Sequence, residues 1–146
     1  MSLSPTDARL IEAAIQASKG AYAPYSRYHV GSAVLMRDGR MGTGANIENA
    51  SYGVAICAET NAITTLIAER HGIIARLAVV AYPSENPQGG VLGAPCGRCR
   101  QVIAEFSDSE TTVLIAYPDG RLGLQLTLDE LFPHSFGPAA LGGATA

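Results

Sequence analysis

The sequence at positions 95–106 reads PCGRCRQVIAEF and predicts a helix that begins at a pair of cysteines. Four of its side chains recur at intervals of three and four residues, the spacing of one helix face: Cys99, Val102, Ile103 and Phe106. We therefore expect a helix from about Cys96 to Phe106, with Cys99 on the buried face.

A second helix is predicted to begin at a cysteine earlier in the chain. The triplet Cys57-Ala58-Glu59 opens a segment that extends to about Arg70, where Ile63, Leu66 and Ile67 have helical spacing and Gly72 ends the pattern. Glu59 lies four and seven residues before Ile63 and Leu66. Its carboxylate is therefore expected on the apolar face and partly buried.

The rest of the chain alternates helical and extended patterns. Ser4 and Pro5 are typical of a helix start, and Gly20 is typical of its end. Strands are expected at Val30–Met36, Met41–Ala45, Leu77–Tyr82, Thr112–Tyr117 and Leu122–Leu128, with a last helical turn at Asp129–Phe132. Asp-Gly turns join the first two and the last two strands, so each of these pairs is predicted to be antiparallel.

This order predicts the α/β class, specifically a three-layer α/β/α sandwich with a five-stranded mixed sheet. The fourth and fifth strands along the chain are expected to be antiparallel in this sheet. We expect a single domain over residues 1–136, followed by a Gly/Ala-rich tail at 137–146. The Pro- and Gly-rich segment Pro83–Pro95 is long for a compact domain and is a candidate functional loop.

Composition narrows the classes of function. The chain has 146 residues, of which 47% are hydrophobic and 16% charged, and a net charge of −3, which excludes a disordered chain. The scattered basic residues argue against a nucleic-acid partner, and no apolar run is long enough for a membrane span. No secretory signal is visible, so we expect a cytoplasmic protein. The low charged fraction suggests that some surface is buried between subunits.

The three cysteines predict a metal site. An odd number without an export signal makes a disulfide framework improbable, although buried free cysteines are an alternative. Cys96 and Cys99 at a helix start can reach one metal, and Cys57 would supply a third thiolate. Three protein ligands leave one position of a zinc ion open for water, as catalysis requires, whereas structural zinc usually has four. Next to zinc-bound water, Glu59 would suit the role of a general acid/base. Alternatively, its carboxylate would only stabilise the positive end of the helix dipole in the first turn.

Five stretches together resemble one known family. They are Ala23-Pro24-Tyr25-Ser26, Val30-Gly31-Ser32-Ala33, the run from Asn46 to Gly53, Cys57-Ala58-Glu59 and the run from Pro95 to Gln101. The Cys-Ala-Glu and Pro-Cys-x-x-Cys elements look like the zinc deaminase signature in its three-Cys form. Over most of its length the sequence resembles the homotetrameric zinc-dependent cytidine deaminases of the cytidine/deoxycytidylate deaminase superfamily.

The resemblance implies hydrolytic deamination of cytidine and deoxycytidine to uridine and deoxyuridine, with release of ammonia. It implies one zinc ion per subunit, held by Cys57, Cys96 and Cys99, whose activated water attacks C4 of the base. Glu59 would carry the proton to N3 and then to the leaving amine.

The resemblance also implies substrate contacts. Asn46 and Glu48 would bind the ribose hydroxyls, the Ala58 backbone would bind the pyrimidine carbonyl, and Tyr28 would stack on the base. Two further aromatic residues, Tyr52 and Phe136, would reach the active sites of neighbouring subunits of a homotetramer.

One departure from the family pattern lies beside the metal ligands. Thr60 stands where three-Cys members commonly carry Arg, so the charge of three thiolates on zinc is less offset in this chain. Arg100, at the start of the third helix, is our candidate for a donor that supports the zinc ligands.

Two alternatives to the main interpretation remain open. One is deamination of another cytosine nucleoside, such as blasticidin S, whose deaminases share the Pro-Cys-Gly-Arg-Cys-Arg-Gln run. The other is a catalytically silent zinc-binding homologue, against which the carboxylate of Glu59 argues, since a structural zinc has no use for it.

Overall fold

The computed structural model describes residues 3–142 and contains five strands and four α-helices in that range. The helices are α1 (Pro5–Ser18), α2 (Ala58–Glu69), α3 (Gly97–Glu105) and α4 (Leu128–Leu131). The strands are β1 (Tyr28–Met36), β2 (Met41–Ala45), β3 (Ile74–Pro83), β4 (Thr112–Ala116) and β5 (Leu122–Thr127).

The five strands form one mixed sheet in the order β2-β1-β3-β4-β5. β1 pairs antiparallel with both β2 and β3, β3 pairs parallel with β4, and β4 pairs antiparallel with β5. The predicted mixed sheet with an antiparallel β4–β5 pair is therefore confirmed.

Alternating residues of the central strands divide the core into two layers. On one face, Leu10, Ile11 and Ala14 of α1 pack with Ala78 and Val80 of β3 and their neighbours. The other face packs against α2, α3 and α4 through a second cluster. This cluster includes Val34, Ile63, Leu66, Leu77, Val79, Ile103, Val113, Ile115 and Leu131. The result is the three-layer α/β/α arrangement, with α1 alone on its side of the sheet.

Two glycines set how closely helices approach the sheet. A Cβ at Gly31 of β1 would lie 2.0 Å from the carbonyl oxygen of Ala14 in α1. A Cβ at Gly44 of β2 would lie 2.6 Å from the carbonyl oxygen of Ala58 at the start of α2. Any side chain at either position would push a helix backbone away from the sheet.

The boundaries differ from the predicted ones mainly at the cysteine-bearing helix starts. Cys57 and Cys96 are the N-cap residues, in extended conformation, rather than the first helical residues. α2 ends at Glu69 because Arg70 is extended, with φ −163° and ψ 135°. β3 begins three residues earlier than predicted, since Ile74 already pairs with Met36.

Two short 3-10 helices lie where loop or tail was expected, at Tyr52–Val54 and Pro138–Leu141. The second lies in the predicted tail, of which residues 143–146 are outside the described range. Across residues 3–142, the longest helix has 14 residues, and none combines the length and apolar character of a membrane span.

Replacement of Gly31 by alanine should destabilise the fold, because the new methyl group overlaps the α1 backbone. We expect a loss of about 2 kcal/mol or more in the free energy of unfolding by urea, in the range of overpacked cores. Gly137→Ala is the matched control, since a Cβ there has no atom within 4 Å. Equal unfolding midpoints for the two variants would contradict the packing described here.

Candidate active site

The pairing of the strands brings the starts of α2 and α3 to one edge of the sheet. Antiparallel pairing places Ala45, the last residue of β2, opposite Gly31, which itself lies opposite Val80 near the end of β3. The loop from β2 to α2 and the loop from β3 to α3 therefore leave the sheet at the same edge. Each of these loops ends at a cysteine.

The three cysteines form one cluster. The sulfur atoms of Cys57, Cys96 and Cys99 all lie within 4.8 Å of one another, and those of Cys57 and Cys96 are 3.8 Å apart. Two sulfurs bound tetrahedrally to zinc at about 2.3 Å lie about 3.8 Å from each other. The donor set and its spacing therefore fit a zinc ion with three protein ligands.

Within the cluster the cysteines differ in environment. Cys99 is buried, Cys57 is intermediate and Cys96 is exposed. A hydrogen bond with the Cys99 thiol lowers the pKa of Cys57. The same bond, together with burial and the charge of Glu59, raises the pKa of Cys99. Of these two cysteines, Cys99 is thus the one whose thiolate form is disfavoured.

Glu59 adds a carboxyl group beside the sulfurs. It lies in the first turn of α2, two residues after Cys57, and is only 3% exposed. Burial raises its pKa, while hydrogen bonds to its own backbone and to Cys99 act in the opposite direction. A carboxyl group whose burial favours the protonated form is suited to accept a proton and return it.

Asn46 contacts the start of β1, and Glu48 contacts the segment that precedes it. The Asn46 side chain accepts a hydrogen bond from the backbone N–H of Val30 at 2.9 Å and donates one to the carbonyl oxygen of Tyr28 at 2.8 Å. Oε1 of Glu48 accepts from the backbone N–H groups of Tyr25 and Ser26. Hydrogen bonds with the Ser26 side chain and with the backbone N–H groups of Ser26 and Tyr25 lower the pKa of Glu48 and so favour its ionised form.

Tyr28 lies near Glu59 at the start of β1. Burial, followed by the negative charge of Glu59, raises the pKa of the Tyr28 phenol. The loop between β3 and α3 packs on the ring, because a Cβ at Gly93 would meet the Tyr28 hydroxyl at 2.5 Å. Ala58 is fully buried as the first residue of α2, where backbone N–H groups have no partner within the helix.

A surface cleft of about 340 Å³ adjoins Glu48 and is lined by Tyr25, Ser26, Asn49, Tyr52 and Ala55 as well. The Tyr52 ring stands edge-on to Tyr25, with ring centroids 5.7 Å apart, and is 75% exposed. Phe136 lies apart from this cleft: its carbonyl oxygen accepts a hydrogen bond from Gln101 of α3, and its side chain is 56% exposed.

Arg100 contacts the loop that carries the cysteine pair. Its Nε donates to the carbonyl oxygen of Pro95 at 2.9 Å, and its Nη1 donates to that of Leu131. Pro95 immediately precedes Cys96. Arg100 therefore holds the approach to α3 against α4 through backbone carbonyls.

Sequence reasoning did not assign roles to three residues of this region. Tyr25 and Ser26 hold Glu48 through their backbone N–H groups, and Thr60 places its hydroxyl oxygen 3.6 Å from the Cys99 sulfur. The sequence carried one signal that Thr60 lies beside the cysteines: it follows Cys57 by three residues, and positions i and i+3 share a helix face. No local pattern identifies the backbone donors of Tyr25 and Ser26.

Comparison with known proteins finds relatives along most of the chain. The cytidine deaminase of Halalkalibacterium halodurans is 45% identical over 127 residues, covering 87% of this chain and 91% of that protein. The cytidine deaminase of Mycobacterium tuberculosis is 45% identical over 126 residues, covering 85% of this chain and 84% of that protein.

Solved structures of similar fold include two cytidine deaminases. The crystal structure from Mycobacterium tuberculosis has a TM-score of 0.71 and 41% identity, with 88% of this chain and 95% of that chain covered. The structure from Burkholderia pseudomallei has a TM-score of 0.79 and 35% identity, with 92% and 100% covered. The three-layer sandwich expected from the sequence is thus the fold of these enzymes.

A family description matches the part of the chain that holds the cluster. Residues 4–115 match the cytidine and deoxycytidylate deaminase zinc-binding region, a span that includes all three cysteines and Glu59. Together with the relatives, the match establishes that this chain belongs to the zinc-binding cytidine and deoxycytidylate deaminase family.

Proposed function

We propose that this protein catalyses the zinc-dependent hydrolytic deamination of cytidine and deoxycytidine to uridine and deoxyuridine, with release of ammonia, as a step of pyrimidine salvage. The observation that carries the proposal is the convergence of three cysteine sulfurs within 4.8 Å beside the buried carboxyl group of Glu59. Three thiolates without a fourth protein ligand suit a catalytic zinc.

Cys57, Cys96 and Cys99 would hold one zinc ion per subunit, and zinc supplies Lewis-acid activation of water for attack on C4 of the base. Glu59 accepts a proton from the attacking water and passes it to N3 of the cytosine ring. It then takes a second proton, from the hydroxyl group that the attack has formed on C4, and delivers it to the exocyclic amine, which leaves as ammonia while the C4 carbonyl forms. Water and the cytosine nucleoside thereby give ammonia and the uracil nucleoside, and Glu59 returns to its starting protonation state.

The base is positioned by groups next to Glu59. The unpaired backbone N–H of Ala58, at the positive end of α2, suits the pyrimidine carbonyl oxygen. The Tyr28 ring, close enough to sense the charge of Glu59, suits stacking on the base. Its hydroxyl lies against the loop at Gly93, where a side chain would overlap it.

The sugar is assigned to Asn46 and Glu48. Both side chains bond the backbone of the Tyr25–Val30 segment, Glu48 at Tyr25 and Asn46 at Tyr28 and Val30. Oε1 of Glu48 takes both backbone bonds, so Oε2 is the oxygen assigned to a ribose hydroxyl. The cleft that Glu48 lines provides the space for the sugar.

Arg100 supports the zinc ligands through the backbone. By bonding the carbonyl oxygen of Pro95, it fixes the residue immediately before Cys96. Its bond to Leu131 ties this position to α4. Its proposed role is thus to position a ligand, without contacting the sulfur itself.

The assembly is proposed to be a homotetramer in which Tyr52 and Phe136 reach neighbouring active sites. Several large apolar side chains are exposed in one chain: Tyr52 is 75%, Val91 89% and Leu141 76% exposed. Subunit contacts would remove this surface from water. A cytoplasmic location is supported by the three thiols, which must remain reduced to bind zinc.

Purified protein should release ammonia from cytidine and deoxycytidine and contain zinc. Incubation with cytidine, deoxycytidine, cytosine and blasticidin S, with zinc measured by atomic absorption, tests the substrate class. Turnover of blasticidin S alone would favour the first alternative. Zinc without turnover of any nucleoside would overturn the proposal and favour the silent homologue.

Glu59→Gln should lower kcat on cytidine by about a hundredfold to ten-thousandfold, the usual contribution of a positioned acid/base. The amide retains the shape of the buried side chain but does not exchange protons. Zinc content should equal that of the wild type, since the three sulfurs are unchanged. Wild-type turnover in the zinc-loaded variant would remove Glu59 from its assigned role.

Sedimentation of the zinc-loaded protein should show a species of four chains, and activity should be confined to it. Dilution series that combine sedimentation with cytidine turnover measure both properties on the same sample. A stable monomer with full activity would contradict the proposed contributions of Tyr52 and Phe136.

A further inference from the structure

Thr60 has a hydroxyl group whose position differs from that of the other threonines on α2. Thr64 and Thr65 donate to carbonyl oxygens four residues earlier in their own helix, at 2.7 and 2.9 Å. This is the ordinary use of a helical threonine hydroxyl. The Thr60 hydroxyl lies instead 3.6 Å from the sulfur of Cys99, across the contact between α2 and α3.

Cys99 is the cysteine of the cluster that solvent does not reach. Its exposed fraction is 0%, whereas Cys96 is exposed and Cys57 intermediate. Water can donate hydrogen bonds to the more exposed sulfurs. A buried thiolate must take its donors from the protein, because a buried charge without a donor is costly.

The buried carboxyl group of Glu59 increases this need. Glu59 is 3% exposed and lies in the first turn of α2, one residue before Thr60, and a carboxylate in this position repels a nearby thiolate. A neutral hydroxyl that donates to the sulfur offsets part of this repulsion. A thiolate has no proton to give, so in a Thr60–Cys99 contact of this kind the hydroxyl must be the donor.

We propose that Thr60 is a positioning residue that donates a hydrogen bond from its hydroxyl to the Cys99 thiolate and thereby retains the metal in the cluster. The inference rests on the proposed zinc site and extends it to a residue outside the three ligands. Because Thr60 and Cys99 lie on different helices, the same bond also ties α2 to α3 at the cluster.

Three variants test this inference. Thr60→Val removes the hydroxyl at almost constant volume, Thr60→Ser keeps it, and Thr65→Val removes an exposed hydroxyl that bonds only its own helix. Each zinc-loaded variant is mixed with excess chelator, and zinc release is followed over time. Circular dichroism and thermal unfolding establish that each variant is folded.

We expect Thr60→Val to release zinc about tenfold faster than the wild type, the lower end of the effect of removing a partner of a metal ligand. Thr60→Ser and Thr65→Val should release zinc at close to the wild-type rate. Rescue by serine separates a hydrogen bond from simple packing.

A spectroscopic measurement gives a second result that does not depend on activity. In cobalt-substituted protein, loss of a hydrogen bond raises the energy of the sulfur electrons, so the sulfur-to-cobalt charge-transfer band should move to lower energy in Thr60→Val alone. A folded Thr60→Val protein with the wild-type release rate and the wild-type band would overturn the inference.

The failure of this inference and that of the proposed function are distinguishable. If the wild type binds zinc and deaminates cytidine while Thr60→Val matches it in both measurements, only the role of Thr60 is lost. If the wild type binds neither zinc nor cobalt at the cluster, both proposals are overturned.

Discussion

The convergence of two helix starts on one point is the constraint on which the rest of the structure depends. Three sulfurs at the starts of α2 and α3 must lie within a few ångströms, yet Cys57 and Cys96 are separated by a complete helix, a complete strand and two loops. The antiparallel pairing of β1 with both β2 and β3 meets this requirement, because it brings the ends of β2 and β3 to one edge. Gly44 then lets the first turn of α2 lie directly on β2.

This constraint also explains an exception to ordinary helix capping. Cys57 and Cys96 occupy N-cap positions, and neither makes a side-chain capping bond. Ser, Thr, Asp or Asn at such a position would contribute about 1 kcal/mol through that bond. In α1 and α4 this capping is present, at Ser4 and Thr127. At the cluster, the sulfurs turn to one another, and a bound metal together with the free N–H groups of the helix ends supplies the compensating stabilisation.

The parts of the structure predicted from sequence are those governed by local rules. The Asp38-Gly39 turn fixed the β1–β2 hairpin, with Gly39 at φ +97°, and the spacing of Ile63 and Leu66 identified the buried face of α2 and hence the burial of Glu59. The bond from Thr60 to Cys99 and those from Tyr25 and Ser26 to Glu48 depend on how separate elements meet. The spacing of Thr60, three residues after Cys57, indicates only that its hydroxyl lies on the side of the cysteines, and its contact with Cys99 of α3 required the three-dimensional structure. No spacing within one element encodes the bonds to Glu48.

The proposed ribose ligands would combine a functional role with the structural one that their hydrogen bonds give them. Asn46 closes two bonds to the backbone at Tyr28 and Val30, which fixes the start of β1 and with it the Tyr28 ring. Glu48 fixes the adjoining turn at Tyr25 and Ser26. Because these bonds order the side chains in the folded chain, their conformational entropy is already lost before a nucleoside arrives. A sugar that binds the free oxygen of Glu48 and the free hydrogen-bonding capacity of Asn46, as proposed, would therefore meet ordered side chains, and its binding energy would serve to orient the base toward Glu59.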